Sequence, residues 1–369
     1  MSNSSGTYND RLSSLECSSV QNLRGWCKEI QENGGTLFDL SMINPDFAPA
    51  REVLDRFIEA SLKPFTHRYT SARGLKKLRE AFADKYRSRF GVELDAAAEL
   101  CVTLGAKDAT LQVLSILSEV TKTLLIPSPT YPAFRSAAEL VGGFDILHYN
   151  AETEKELVSS LEALMRGNPG ALVILNTPSN PTGLVVSKHG LQSIVEVADN
   201  CNCYLFNDLV YGEMGYEQTP SSLLSVCKPG FDRMIEVYSL SKAYSIPGWR
   251  IAGLVGDKQL VDAVSKRKSL TDYGTFTPLQ VGAAAALRAP ESLVGELAER
   301  YAARAAVVAD GLEEMGCSLI APQAGASVWA KLPNCFEGDS EQFARLMIER
   351  CGVVVLPGKV FGDSYNRHF

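Results

Sequence analysis

Between about residues 75 and 255 one pattern recurs: four to six apolar residues, then a polar turn, then apolar positions at helical spacing. "ELCVTLGA" reads as a strand that breaks at Gly105, and "KDATLQVLSILSEV" follows as a helix. "TLLIPSPTYP" reads as a short buried strand ending in a proline-rich turn. "ALVILNTPSNPTG", "CYLFNDLVY" and "MIEVYSLSK" repeat the theme. Upstream, "GLKKLREAFADKYRSRFG" has helical spacing and stops on Gly91. Strands that alternate with helices form a mostly parallel sheet, because the crossover helices cover both of its faces. Ligands of such sheets gather beyond the carboxyl ends of the strands. The polar turns are therefore where chemistry is expected.

From about 276 the texture changes to helix-rich sequence. Shorter strands follow in "ASVWAKL" and "GVVVLPG", around a helix from Glu341 to Cys351. The reading divides the chain into an N-terminal arm and part of a small domain (1–50), a large domain (51–275) and a small α+β domain (276–369). The first ten residues are polar and read as a flexible arm without the apolar stretch of a signal peptide.

Composition excludes several classes of function. The formal charge is −7 and no long basic run occurs, which argues against nucleic acid as a partner. No apolar run reaches membrane-spanning length. The nine cysteines are scattered without a CxxC pair, so neither a metal site nor a disulfide framework is expected. A reducing cytoplasmic setting fits them, with Cys201 and Cys203 as core thiols.

The stretch "SLSKAYSIPGWR" puts Lys242 directly after a strand, with Ser239 before it and Arg250 after it. A buried lysine near positive neighbours is more easily neutral and can form a Schiff base. Taken alone, such a lysine is far more often a solvated surface residue, so its surroundings must carry the argument. Ser239 and Arg250 could bind a phosphate, the arginine in forked geometry. Gly105 and the amides of Ala106 and Lys107 open a helix, where free N–H groups favour an anion. Asp208 ends a strand and could keep a pyridine nitrogen protonated, or simply cap the next element. Tyr211 and Asn180 could hydrogen-bond a phenolic oxygen. Asn176 and Asn180 could equally serve only a rigid turn. Tyr131 could stack on a flat ring or fill the core.

"SNPTG", "NDLVY" and "SLSKAYSIPGWR", in that order, resemble the fold-type-I, pyridoxal-phosphate-dependent aminotransferases of class I/II. The similarity runs from "LSMINPDF" to "PGKVFGD", and at subgroup level it is nearest the bacterial alanine-type (glutamate–pyruvate) transaminases. The expected fold is α/β: a large domain with a mostly parallel seven-stranded sheet between helices, plus a smaller α+β domain. The resemblance implies pyridoxal 5'-phosphate as cofactor, with Lys242 as Schiff-base lysine and general base. It implies Asp208 at the ring nitrogen, Asn180 and Tyr211 at the phenolic oxygen, and Tyr131 stacked on the ring. Gly105, Ala106, Lys107, Ser239 and Arg250 would hold the phosphate. It implies a homodimer in which Tyr69 of each chain reaches the other chain's phosphate, with an L-amino acid and a 2-oxo acid as substrates. A β-lyase or synthase on the same fold is the alternative.

The chain departs from the family pattern at two points. Relatives carry glycine where this chain has Ile43, so Ile43 is expected to border the substrate beside Asn180. The family's carboxylate-clamping arginine would come directly after Phe369, the last residue. Arg367 is near but out of register. The expectation is therefore that these residues are a piece of a longer chain, with the small domain incomplete; a natural remnant with altered activity is the alternative.

Overall fold

The computed structural model describes residues 18–228 and 231–369. The expected N-terminal arm, with Cys17, lies outside them up to residue 17.

The strands in chain order are β1 (Phe38–Asp39), β2 (Leu100–Thr103), β3 (Thr123–Ser128), β4 (Asp145–Asn150), β5 (Leu172–Leu175), β6 (Tyr204–Asp208), β7 (Met234–Ser239), β8 (Ala252–Gly256), β9 (Ser318–Ile320), β10 (Trp329–Lys331) and β11 (Val353–Val354). Seven of them form one sheet in the order β2-β8-β7-β6-β5-β3-β4. Only β8 runs against its neighbours β2 and β7; the other pairs are parallel. The α/β class and the mostly parallel seven-stranded sheet agree with the expectation.

Successive side chains along a strand point to opposite faces, so this sheet feeds two cores. Leu125, Val173 and Leu205 pack under helices Glu154–Gly167 and Lys188–Asn200. Their neighbours Leu124, Leu172 and Phe206 pack under helices Ala106–Leu117, Pro132–Val141 and Lys258–Thr271. All six are buried, each contributing about 1.5–3 kcal/mol of apolar burial. Gly253 in β8 has a specific cause: a Cβ there would come within 2.9 Å of the Phe82 ring.

Helix Thr277–Leu287 follows the change of texture at 276, and its Ala283, Ala284 and Ala286 share a core with Leu78, Phe82 and Tyr238 of the large sheet's cover. Helix Glu291–Glu314 is 24 residues long, roughly 36 Å. Its Val294 lies in that same core, and its Leu312 reaches a separate one formed by Ala330, Leu332, Phe343 and Phe369. The shorter strands make two small sheets, β9 with β10 antiparallel and β1 with β11 parallel. Helix Ser18–Glu32 packs Leu23 against Ala344, Ile348 and Val354 beside β11. Helix Ser340–Cys351 starts with a capping box formed by Asp339 and Gln342.

Cys203 is buried as expected, but Cys201 is only half-buried at the edge of its core, because it follows the exposed end of helix Lys188–Asn200. No helix among the described residues is long and apolar enough to cross a membrane.

Candidate active site

Strand register brings the polar turns together. Thr103 at the end of β2 and Ser239 at the end of β7 both pair with Ala252 of β8. Asp208 ends β6 opposite Val237, and Leu175 ends β5 opposite Asn207. The segments after β2, β5, β6 and β7 therefore leave the sheet along one edge.

At one end lies a cationic cradle. Gly105 caps helix Ala106–Leu117 with φ of 82°, in the region that favours glycine. A Cβ there would lie 2.4 Å from Nη2 of Arg250. Only glycine lets the guanidinium approach this turn. Arg250 donates from Nη2 to the Leu104 carbonyl at 3.3 Å and from Nη1 to the Pro247 carbonyl at 3.0 Å. The first-turn amides of Ala106 and Lys107 have no intrahelical acceptor. Ser239 is buried, and its hydroxyl accepts from the Ser241 N–H at 3.2 Å and donates to the Ser241 hydroxyl at 3.0 Å.

Lys242 stands beside this cradle. Burial, with Arg250 and Lys107 adding repulsion, lowers its amine to about 8. Its Nζ donates to the Ile43 carbonyl. The chain around Ile43 is strapped across the site by a two-pronged ion pair from Arg304 to Asp46, both contacts 2.9 Å. The guanidinium of Arg304 also lies 4.7 Å from the Phe47 ring centre.

The other end is buried and acidic. Asp208 is 4% exposed, and burial pushes its carboxyl up to about 7 against the opposing hydrogen bond from the Val210 N–H at 3.1 Å. Glu236, itself fully buried, adds to the rise. Glu236 accepts from Asn207, Tyr86, Ser222 and the Leu223 amide, which anchors the strand behind Asp208. Tyr211 is buried and its phenol is held far above the usual range, so it remains a donor. Tyr131 is pushed up to about 12 by burial, then by Asp208. Its ring lies 5.8 Å from the Lys107 ammonium, which joins the two ends.

Asn176 does more than stiffen its turn. It accepts from the Asn180 N–H at 2.8 Å and donates to the Asp208 carbonyl at 3.1 Å, tying the "SNPTG" turn to the acidic strand end. Gln323, which sequence reasoning missed, ties both to the segment before β10. Its N–H donates to the Gly183 carbonyl at 3.2 Å and its carbonyl accepts from the Tyr216 N–H at 2.9 Å. Its side-chain oxygen accepts from the Val185 N–H at 2.8 Å.

Two residues lie apart from the cluster. Tyr69 is 92% exposed and packs edge-on against Tyr273 at 5.3 Å. Arg367 is occupied by the carbonyls of Pro333, Phe336 and Gly338.

Residues 36–366 match the family "Aminotransferase class I and II". The glutamate-pyruvate aminotransferase AlaC of Escherichia coli is 33% identical over 341 residues, covering 92% of this chain and 82% of that protein. An LL-diaminopimelate aminotransferase of Natranaerobius thermophilus is 31% identical, covering 97% of this chain and 93% of its own. Among solved structures, substrate-bound BacF of Bacillus subtilis superposes with a TM-score of 0.88 at 28% identity, covering 98% of this chain and 92% of that one. The alanine aminotransferase of Pyrococcus furiosus shares the fold, with a TM-score of 0.89 at 22% identity over 98% of this chain and 94% of its own. With its cationic cradle, amine and buried carboxylate along one sheet edge, this chain is an aminotransferase and belongs to class I and II of that family.

Proposed function

We propose that the chain transfers an amino group between an L-amino acid and a 2-oxo acid with pyridoxal 5'-phosphate held along this edge. The observation that carries the reading is the lowered amine of Lys242 between the cradle at Gly105 and Arg250 and the buried Asp208. The cradle fits a phosphate: a left-handed glycine, free helix-start amides and a guanidinium face one another. The aldehyde of this cofactor captures amines, and its ring accepts carbanion electrons.

The remaining work falls to the chain. Gly105, Ala106, Lys107, Ser239 and Arg250 anchor the phosphate. Asp208 presents a buried carboxylate to the ring nitrogen, whose proton relieves the cost of burying that charge. Tyr211 and Asn180 supply donors for the phenolic oxygen, and Tyr131 covers a ring face. A lysine amine lowered to about 8 is in part neutral near pH 7. In that state Lys242 would be the amine available to the cofactor's aldehyde, and when free it would be the base placed to take the α-proton of the amino acid and return it. Ile43 borders the amine, and its β-branched side chain limits the space for substrate.

A homodimer is part of the reading. Leu62, Tyr69 and Leu270 are 79%, 92% and 86% exposed. Ring contacts of Tyr69 with Tyr273 and of His67 with Phe276 join these segments into one apolar surface. A second copy of the chain covers such a surface on itself and brings its own Tyr69 to the neighbouring phosphate. The cysteine pattern suits a cytoplasmic setting.

The test is borohydride reduction of the protein loaded with cofactor, followed by peptide mapping. Fixation is expected on the peptide containing Lys242, and fixation on another lysine overturns the reading. The name of the Escherichia coli relative makes L-alanine and L-glutamate the first donors to try. Oxo acid should form only in step with consumption of a second oxo acid. Release of ammonia instead would mark a lyase.

A further inference from the structure

Lys268 on helix Lys258–Thr271 is 0% exposed. Its Nζ lies 2.6 Å from Oδ2 of Asp272 and 3.5 Å from Oδ2 of Asp108. A fully buried ammonium is costly, and it persists where its partners hold it in return.

Asp108 sits in the first turn of helix Ala106–Leu117, the helix whose start forms the cradle. Its Oδ2 accepts from the Leu104 N–H at 2.8 Å, one residue before Gly105. Its Oδ1 accepts from Nε2 of Gln112 at 3.0 Å. The carboxylate thus shapes the cradle turn, but it also places a negative charge beside a site meant for an anion. Asp272, the second partner, accepts from the Gly274 N–H at 2.9 Å, and the Lys268 carbonyl accepts from the Tyr273 N–H at 2.9 Å. Tyr273 has φ of 58° and carries the ring against Tyr69.

We propose that Lys268 is a positioning residue for the phosphate end: sitting between Asp108 and Asp272, it cancels the carboxylate that shapes the Gly105 turn and ties that turn to the segment presenting Tyr273 and Tyr69. The inference rests on reading the Gly105–Arg250 cradle as a phosphate site. It differs from a general packing role in one respect. A packing role supports every ligand of the site equally, whereas charge cancellation matters only to the ligand's phosphate.

The experiment titrates the full-length apo-protein with pyridoxal 5'-phosphate and separately with pyridoxal, following absorbance. In Lys268→Met the dissociation constant for the phosphate form should rise about tenfold or more, the effect of one uncompensated charge in a partly buried setting. Pyridoxal affinity should stay unchanged. Adding Asp108→Asn to Lys268→Met removes the carboxylate at the cradle turn, leaving only Asp272 without the ammonium, and should recover most of the loss. Asparagine can still accept from Leu104, and the Gln112 side-chain oxygen, which has no partner among the described residues, can receive its N–H after a flip of that amide. Should Lys268→Met fail to fold, Asp108→Asn alone decides: it should hold pyridoxal phosphate at least as tightly as the wild type. Equal weakening of both ligands in Lys268→Met overturns the inference, as does loss of the phosphate form in Asp108→Asn. If the wild type itself binds the two ligands equally, the cradle reading fails first.

Discussion

The two ends of the site are built by opposite means. The cradle end uses backbone amides, one glycine and an exposed guanidinium, and its charge is shared with water. The Asp208 end uses a carboxylate sealed in the protein, whose protonation is altered by burial. The contrast separates two tasks. An exposed cradle can grip and release a phosphate with little effect on reactivity. A buried carboxylate contributes little to anchoring but controls the electronic state of whatever ring lies against it. Lys242 follows the strand between those ends, and its amine is lowered by burial and then by the cradle's cations Arg250 and Lys107.

This division is broken most severely at Asp208. Asp208→Ala should lower kcat about 10²- to 10³-fold while cofactor affinity falls far less. A cofactor titration beside steady-state kinetics reads both, and loss of affinity without loss of kcat would merge the two ends into one. The same residue should mark the apo-protein. Its folded carboxyl, at about 7, is raised above the usual 3.8, so the folded state resists losing that proton. Stability is then fully present below pH 4 and declines as pH rises towards 7, by on the order of 2–4 kcal/mol. Denaturant titrations of the apo-protein should show the decline in the wild type and not in Asp208→Asn.

Arg250→Ala should do the reverse of Asp208→Ala. Cofactor affinity should fall about 10- to 100-fold, as for loss of a charge-assisted hydrogen bond, with a smaller change in kcat at saturating cofactor. The smallest effect is expected at Gln323. Gln323→Leu leaves the buried Val185 N–H without its acceptor and should cost about 1–2 kcal/mol in denaturation. It should also shift the absorbance pH profile of bound cofactor, because the turns carrying Asn180 and Tyr211 are joined there. An unchanged profile would make Gln323 a purely structural tie.

Most of this contrast was legible in the sequence, because it is written in strand–turn–helix order. Five of the sheet's strands are short, mostly apolar runs that end in polar turns, so Gly105, Tyr131, Asn180, Asp208 and Lys242 announce themselves locally. Two strands do not. β4 is a sheet edge with exposed Asp145 and His148, and β8 carries two glycines, one required by the Phe82 ring. The ties were illegible for a different reason. Gln323 meets Val185 across 138 positions, and Lys268 reaches Asp108 across 160. Neither leaves a local pattern, and a lysine in a helix is ordinarily read as solvated. Arg367, a neighbour of the expected clamp in sequence, proves to be occupied by three small-domain carbonyls.

Arg250 is strained as well as charged. Its backbone has φ of 55° and ψ of 54°, a left-handed conformation that costs a residue with a side chain about 1 kcal/mol or more. Glycine would relieve that strain but remove the guanidinium. Asparagine at 208 would likewise spare the fold a buried charge. Selection on folding alone and selection on transamination alone therefore pull these positions apart. A library of variants sorted for survival of heat should drift to glycine or asparagine at 250 and away from aspartate at 208. The same library sorted for turnover should hold both fixed.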